Sequence, residues 1–349
     1  FTFEALGKKE QQEVHAGDIV AVVGVEDADI GDMVTSRENP VRFDPIQVEE
    51  PTMAIVFEAS SSPLVGREGD IVGARQLKER LMREKESNIS MRINELEDKS
   101  GIEVAGRGVL HLSVLMETMR REGYEFQVST PHVLNKTIDG KLCEPIERMI
   151  ADVPENSVGS VIDKISQRKG DLVSMTPIGS RMRLEFLVPT RGLFGYRNQF
   201  LTDTHGEGII NQIFDGYDVW AGMIANRSTG SLVSFETGEA VTYGLFNAQQ
   251  RGTLLVGAGE KVYEGMVIGY TASGEDVDVN VCKTKHLTNT RASGSDDALR
   301  LIPISKLSLE GCLEFLAQDE LLEVTPENLR IRKQILNHEQ RMKAKSKLK

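Results

Sequence analysis

The chain is 349 residues long, more than twice the roughly 150 residues typical of one domain, which argues against a single core and predicts two to four units. It carries 53 acidic against 41 basic residues, a net charge of −12, which excludes a protein that coats nucleic acid with a uniformly positive surface. The charge is uneven, however: residues 1–50 hold twelve acids and four bases, whereas residues 330–349 hold eight bases and the single acid Glu339, so an anionic partner met at one place stays open.

Cys143, Cys282 and Cys312 are far apart, odd in number and in no C-x-x-C pair, so neither a disulfide framework nor a zinc knuckle is encoded. A reduced, cytoplasmic chain is expected. No apolar run approaches the roughly 18 residues of a membrane span, so no membrane partner is expected. The chain opens at Phe1 directly in strand-like sequence, and the expectation is that an N-terminal portion is absent.

In chain order, Asp18–Gly24 reads as a strand, and residues 1–50 as the last strands of a β-barrel. From Pro51 the pattern repeats. Strand Met53–Glu58, helix Asp70–Lys85, strands Ile89–Ile93 and Ile102–Ala105, helix Val109–Arg121 and strand Tyr124–Ser129 give the order βαββαβ. The order returns as strand Cys143–Val153, helix Glu155–Arg168, strands Asp171–Thr176 and Arg181–Pro189, helix Arg191–Leu201 and strand Gly208–Phe214. Two ferredoxin-like split-βαβ units are therefore predicted. Residues 220–325 turn glycine-rich, with short strands at Leu232–Phe235, Ala240–Leu245, Thr253–Val256 and Met266–Thr271. A helix is predicted from Thr325 as cap and Pro326 as first residue, carrying Leu329, Ile331, Ile335 and Leu336. Residues 341–349 read as a disordered basic tail. The fold class is thus α+β and multidomain: a partial barrel remnant (1–50), two ferredoxin-like units (51–130 and 131–218) and a mainly β unit with a terminal helix and basic tail (219–349).

Chemistry-bearing motifs are few. A P-loop ends in Gly-Lys-Ser/Thr so that amides wrap phosphate and the hydroxyl holds magnesium. Gly7-Lys8 and Gly140-Lys141 lack that hydroxyl, and Asn135-Lys136-Thr137-Ile138 lacks the carboxylate of a guanine-reading Asn-Lys-x-Asp. Cys282 and His286 could be named a hydrolase dyad, but no third group is signalled. No catalytic residue, metal site or cofactor is expected in the chain. Val281 to Gly294 is different: it holds Lys283, Lys285, Arg291, Asn289 and several hydroxyls with no acid. Cations, hydroxyls and amides suit phosphate and sugar contacts; by composition alone a solvated loop is an equal reading. The basic end, with Arg332, Lys333, Arg341, Lys343, Lys345, Lys347 and Lys349, is a second candidate for RNA.

Residues 16–34 resemble the end of the second, barrel domain of translational GTPases such as elongation factor G. Gly101-Ile-Glu-Val-Ala-Gly-Arg-Gly-Val-Leu-His-Leu112 and Met119-Arg-Arg-Glu-Gly-Tyr-Glu125 resemble domain III of that family, and Leu142-Cys-Glu-Pro-Ile146 with Phe194-Gly195-Tyr196 its domain V. Pro131–Ile138 runs into Leu142 within a few residues, so the intervening domain IV is missing, a layout shared by the LepA and BipA/TypA families. Gly230–Gly238, Asn247–Gly252, Val262–Gly269 and Val279–Ser293 resemble the BipA/TypA C-terminal domain; Ser273-Gly274-Glu275 departs from it where an Arg-containing turn is expected.

The resemblance implies the C-terminal region of a ribosome-associated GTPase acting in large-subunit assembly and stress-adapted translation, with GTP and Mg2+ in a domain absent here. It implies a monomer that meets both ribosomal subunits, large-subunit rRNA and a tRNA acceptor stem. It gives Lys283, Lys285, His286, Asn289, Arg291 and Ser293 the role of RNA contacts, beside Arg332 and Lys333. A protein–protein scaffold without RNA affinity is the alternative class, and a Cys282–His286 hydrolase a third.

Overall fold

The computed structural model describes residues 1–4, 7–25, 31–41, 43–44, 50–98, 100–224, 227, 229–284 and 300–348. The chain divides into two compact units, Phe1–Val48 and Glu49–Lys349. In the first, β1 (Thr2–Glu4) pairs antiparallel with β2 (Gly7–Lys9), and an isolated bridge joins Thr2 to Val20. The strand expected over Asp18–Gly24 is reduced to that bridge. Ile19 is 83% exposed, and Val22 and Val23 are open to solvent. A barrel strand holds its shape through partners on both edges, and the described residues of this unit supply a single hairpin rather than the expected barrel strands.

The second unit begins with β3 (Met53–Ala59), α1 (Ala74–Ser87), β4 (Arg92–Glu95), β5 (Ile102–Gly106), α2 (Val109–Arg121) and β6 (Phe126–Val128), all of its strand pairs antiparallel in the order β6-β3-β5-β4. This is the predicted split-βαβ order. Met53, Ile55 and Phe57 alternate along β3 toward the helices, where Leu77 and Leu81 of α1 and Leu112, Leu115, Met116 and Met119 of α2 follow the 3.6-residue period and are buried. The helix predicted from Asp70 starts at Ala74, because Ile71 is held extended: its N–H donates to Gly123 O and its carbonyl accepts from Glu125.

Short strands β7 (His132–Val133) and β8 (Lys136–Ile138) lead into β9 (Lys141–Pro154), α3 (Val158–Gln167), β10 (Asp171–Ile178), β11 (Arg181–Pro189), α4 (Tyr196–Asp203) and β12 (Ile209–Val219). Their order β10-β11-β9-β12 is again that of a split-βαβ unit. Met149, Ala151, Val153, Leu184, Phe186 and Val188 meet Val161, Ile165 and Phe200 in a separate core.

The remainder is built from β13 (Gly230–Ser234), β14 (Gly238–Glu239), α5 (Thr242–Gln249), β15 (Thr253–Leu254), β16 (Lys261–Val262), β17 (Val267–Thr271), β18 (Val277–Val279), α6 (Leu309–Phe315), β19 (Glu320–Val324), β20 (Leu329–Lys333) and α7 (His338–Leu348). A four-stranded sheet runs β15-β17-β13-β18, with β13 and β18 parallel.

Three expectations fail here. Ala240–Leu245, read as a short strand, instead runs from Thr242 into helix α5, where Leu245 and Ala248, three apart, are both buried in the local core. The helix expected from Thr325 is the β19–β20 hairpin. Thr325 Oγ1 does accept the Asn328 N–H at 2.8 Å, but it closes a turn instead of opening a helix. The tail expected to be disordered forms α7. The β19–β20 hairpin pairs with β6 and so enlarges the first ferredoxin-like sheet, while Leu313, Leu322, Val324 and Ile331 join the core of residues 53–128. Residues late in the chain therefore complete the unit that Met53 begins.

Candidate nucleic-acid interface

The loop singled out by composition leaves the sheet through β18. Asp276 and Asp278, two residues apart, lie on one side of that strand. Opposite them α7 places Arg341 and Lys345 four residues apart, on one helix face. Arg341 Nη2 lies 2.6 Å from Asp278 Oδ1, His338 Nδ1 3.0 Å from Asp278 Oδ2, and Lys345 Nζ 2.9 Å from Asp276 Oδ2. Asn337 Oδ1 accepts the Gln340 N–H at 3.1 Å and caps the helix start. These neutralised cations are why the basic tail is ordered. Burial opposes ionisation of Asp276, but Lys333, the Ser231 N–H and Lys345 outweigh it and hold the carboxyl below the usual carboxylate range.

The root of the loop is tightly fixed. Val281 is buried, and its carbonyl accepts the Val241 N–H at 2.9 Å. Gly244 packs so closely that a Cβ there would stand 2.3 Å from Val281 O, so only glycine fits. Past this point Lys283 and Thr284 are exposed. Lys285, His286, Asn289, Arg291 and Ser293 lie outside the described residues. On α7, Lys343 and Lys347 stand four apart and exposed, on the helix face turned away from the β18 clasp.

Arg332 and Lys333 are corrected. They belong to β20, not to a tail, and are 2% and 1% exposed. Lys333 Nζ lies 2.8 Å from Asp276, 2.9 Å from Glu320 and 3.0 Å from Asp319. Arg332 donates to Gln127 Oε1 at 2.7 Å and to Ser61 Oγ at 2.6 Å, with Glu323 3.6 Å from its Nε. A buried cation already matched by carboxylates and amide oxygens has no charge to offer a phosphate. Sequence reading missed the partners, although the Asp276-Val277-Asp278 spacing at the entrance to a basic loop was visible.

The Cys282 thiol is half-buried, and burial with the Glu236 carboxylate pushes its pKa up. The nucleophile of a dyad is a thiolate, which this setting disfavours. Among the described residues no cluster of three or more His, Cys, Asp or Glu is arranged to hold a metal ion, and no helix is long and apolar enough to cross a membrane.

Two split-βαβ units in tandem, followed by a mixed unit that returns a hairpin to the first, define an elongation-factor-G-like C-terminal architecture, and residues 141–228 match the family described as elongation factor G C-terminus. Residues 229–338 match the TypA/BipA C-terminal domain, and the chain belongs to the TypA/BipA family. It is 44% identical to the large ribosomal subunit assembly factor BipA of Synechocystis sp., over 95% of this chain and 56% of that protein. It is likewise 44% identical to the proteins so named of Bacillus subtilis, over 100% of this chain and 57% of the relative, and of Escherichia coli K12, over 94% and 54%. The chain thus spans a little over half the length of these curated relatives.

Proposed function

We propose that the chain is the ribosome-docking region of a BipA/TypA translational GTPase, acting in large-subunit assembly and stress-adapted translation in the cytoplasm. The observation that carries this reading is the acid-free stretch 281–294 in a chain of net charge −12, launched from a root that Val281, Gly244 and the β18–α7 clasp hold rigid. Relatives named as large-subunit assembly factors support the same partner. Lys283, Lys285, His286, Asn289, Arg291 and Ser293 contact rRNA and a tRNA acceptor stem, and the two ferredoxin-like units hold the factor as a monomer between the subunits. Lys343 and Lys347 replace Arg332 and Lys333 as the supporting cations. GTP and Mg2+ are assigned to the GTPase domain of the family: here the Asp139-Gly140 turn joins β8 to β9 with Gly140 at φ +75°, and Lys141 opens strand β9 rather than a phosphate-binding helix.

The test is sedimentation of the chain with ribosomal subunits across a salt series. Replacing Lys283, Lys285 and Arg291 by alanine weakens binding and lowers the salt slope by roughly one for each phosphate that is no longer neutralised. An unchanged affinity and slope removes the loop from the interface, and no association at any salt favours the scaffold reading.

A further inference from the structure

A second site lies where the three parts of the large unit meet. A cleft of about 480 Å3 opens between the connector at 129–135, the segment that follows β12, and the turn at Gln318. Its apolar walls are Trp220, Phe194 and Met223, and the amides of Asn135, Gln318 and Gln334 stand exposed around it. No aspartate or glutamate is among the described residues lining it, although acids outnumber bases in the chain. Trp220 is the one tryptophan of the sequence; its residue is 37% exposed, and Met223 is 78% exposed.

Trp220 is held in place before any ligand arrives. Its backbone N–H donates to Leu142 O at 3.0 Å, and the next backbone N–H, of Ala221, donates to Glu144 Oε1 at 2.7 Å. Glu144 is fully buried and binds Arg191 through both oxygens, and the Arg191 guanidinium lies 5.2 Å from the centre of the Trp220 ring. The Glu144 carboxylate cancels the Arg191 charge, so the cleft presents a fixed aromatic surface and uncharged amides rather than a phosphate trap. Fixing the main chain at Trp220 and backing its ring with Arg191 in advance lowers the ordering cost of binding.

An aromatic face, amides able both to donate and to accept, and no carboxylate form the donor set that reads an unpaired nucleobase by stacking and by its hydrogen-bonding edge. We propose that this cleft binds an unpaired base of single-stranded RNA, with Trp220 as the stacking platform and Gln318 and Gln334 at the base edge. None of the described residues of the 281–294 stretch lines the cleft, and the site does not depend on that stretch's assignment.

Because Trp220 is the sole tryptophan, its fluorescence reports the cleft directly. Titration of the chain with hexa-adenylate RNA quenches that emission saturably, and an abasic hexamer of the same length leaves it unchanged. With a labelled hexa-adenylate followed by anisotropy, Trp220→Ala weakens binding about 10-fold or more, from the usual worth of one base stack. Trp220→Phe, which keeps an aromatic face, restores most of it. Gln318→Ala, at an exposed position where folding is not at stake, weakens binding about 5-fold. Equal quenching by the abasic strand shows a phosphate contact and overturns the proposal. So does the absence of saturable quenching, or a Trp220→Ala variant with unchanged circular dichroism and unchanged affinity. Quenching by an apolar peptide in place of RNA makes the cleft a protein-docking site and overturns it equally.

Discussion

Lys333→Met separates a buried structural cation from an RNA contact. The substitution keeps most of the side-chain volume but removes the ammonium that meets Asp276, Glu320 and Asp319 between 2.8 and 3.0 Å. Asp319 is half exposed and loses little, because water replaces its partner. Asp276 keeps Lys345 at 2.9 Å and the Ser231 N–H at 3.0 Å. Glu320, with no exposed surface, keeps Arg227 at 3.0 Å and the Ala317 N–H at 2.9 Å. Stripping one partner from a buried ion cluster costs about 3–5 kcal/mol. The remaining partners place the expected loss near the lower end, at about 3 kcal/mol, a large share of the roughly 5–15 kcal/mol typical of a folded protein. Urea unfolding followed by far-ultraviolet circular dichroism measures it. In a Glu320→Gln background the same change costs less, and the coupling energy in the double-mutant cycle exceeds about 1 kcal/mol. The salt slope of ribosome binding stays that of the unsubstituted chain. A stability loss below about 1 kcal/mol together with a slope lowered by roughly one would refute the reasoning and return Lys333 to the RNA interface.

The Asp276 carboxyl is held below its unfolded value of about 3.9, so the stability it contributes is full above that pH and is lost as pH falls through the lower folded value. The difference in unfolding free energy between the unsubstituted chain and Asp276→Asn is therefore constant from about pH 7 to about pH 5 and shrinks on further acidification; a difference that grows with acid contradicts the sign. Glu125, buried on the first ferredoxin-like unit, accepts the N–H groups of Gly66, Glu68 and Gly69 at 2.7, 2.9 and 2.6 Å. Glu125→Gln turns an amide NH2 toward one or more of these donors and costs about 1–3 kcal/mol in urea unfolding. No change there would show that the carboxylate does not hold the 62–69 segment.

The basic loop was legible as composition, because exclusion of acid over fourteen residues needs no tertiary information. Its anchorage was not. Asp276 and Asp278 become a clasp only when α7, at the far end of the chain, sets Arg341 and Lys345 at the matching separation. Arg332 and Lys333 show the converse error: lysines and arginines near a chain end read as solvated, and burial reverses that reading once carboxylates from Asp276, Glu320 and Glu323 converge on them. The Trp220 cleft left no trace in the sequence, since its walls come from stretches centred near residues 132, 194, 220 and 318.

By itself the sequence determined the two split-βαβ units. Their apolar residues repeat at 2 and 3.6 along short contiguous stretches, so each unit specifies its elements from local pattern; helix Val109–Arg121 and strand Arg181–Pro189 have the bounds the pattern implies. Only the tertiary structure decided the fate of Thr325–Lys333. Its cap and proline suit a helix, while the alternation of Leu329 and Ile331 with Arg330 and Arg332 suits a strand. The open edge of β6 resolves the choice, because there the hairpin satisfies its backbone hydrogen bonds, buries Ile331 in the first core and pairs Arg332 and Lys333 with buried acids.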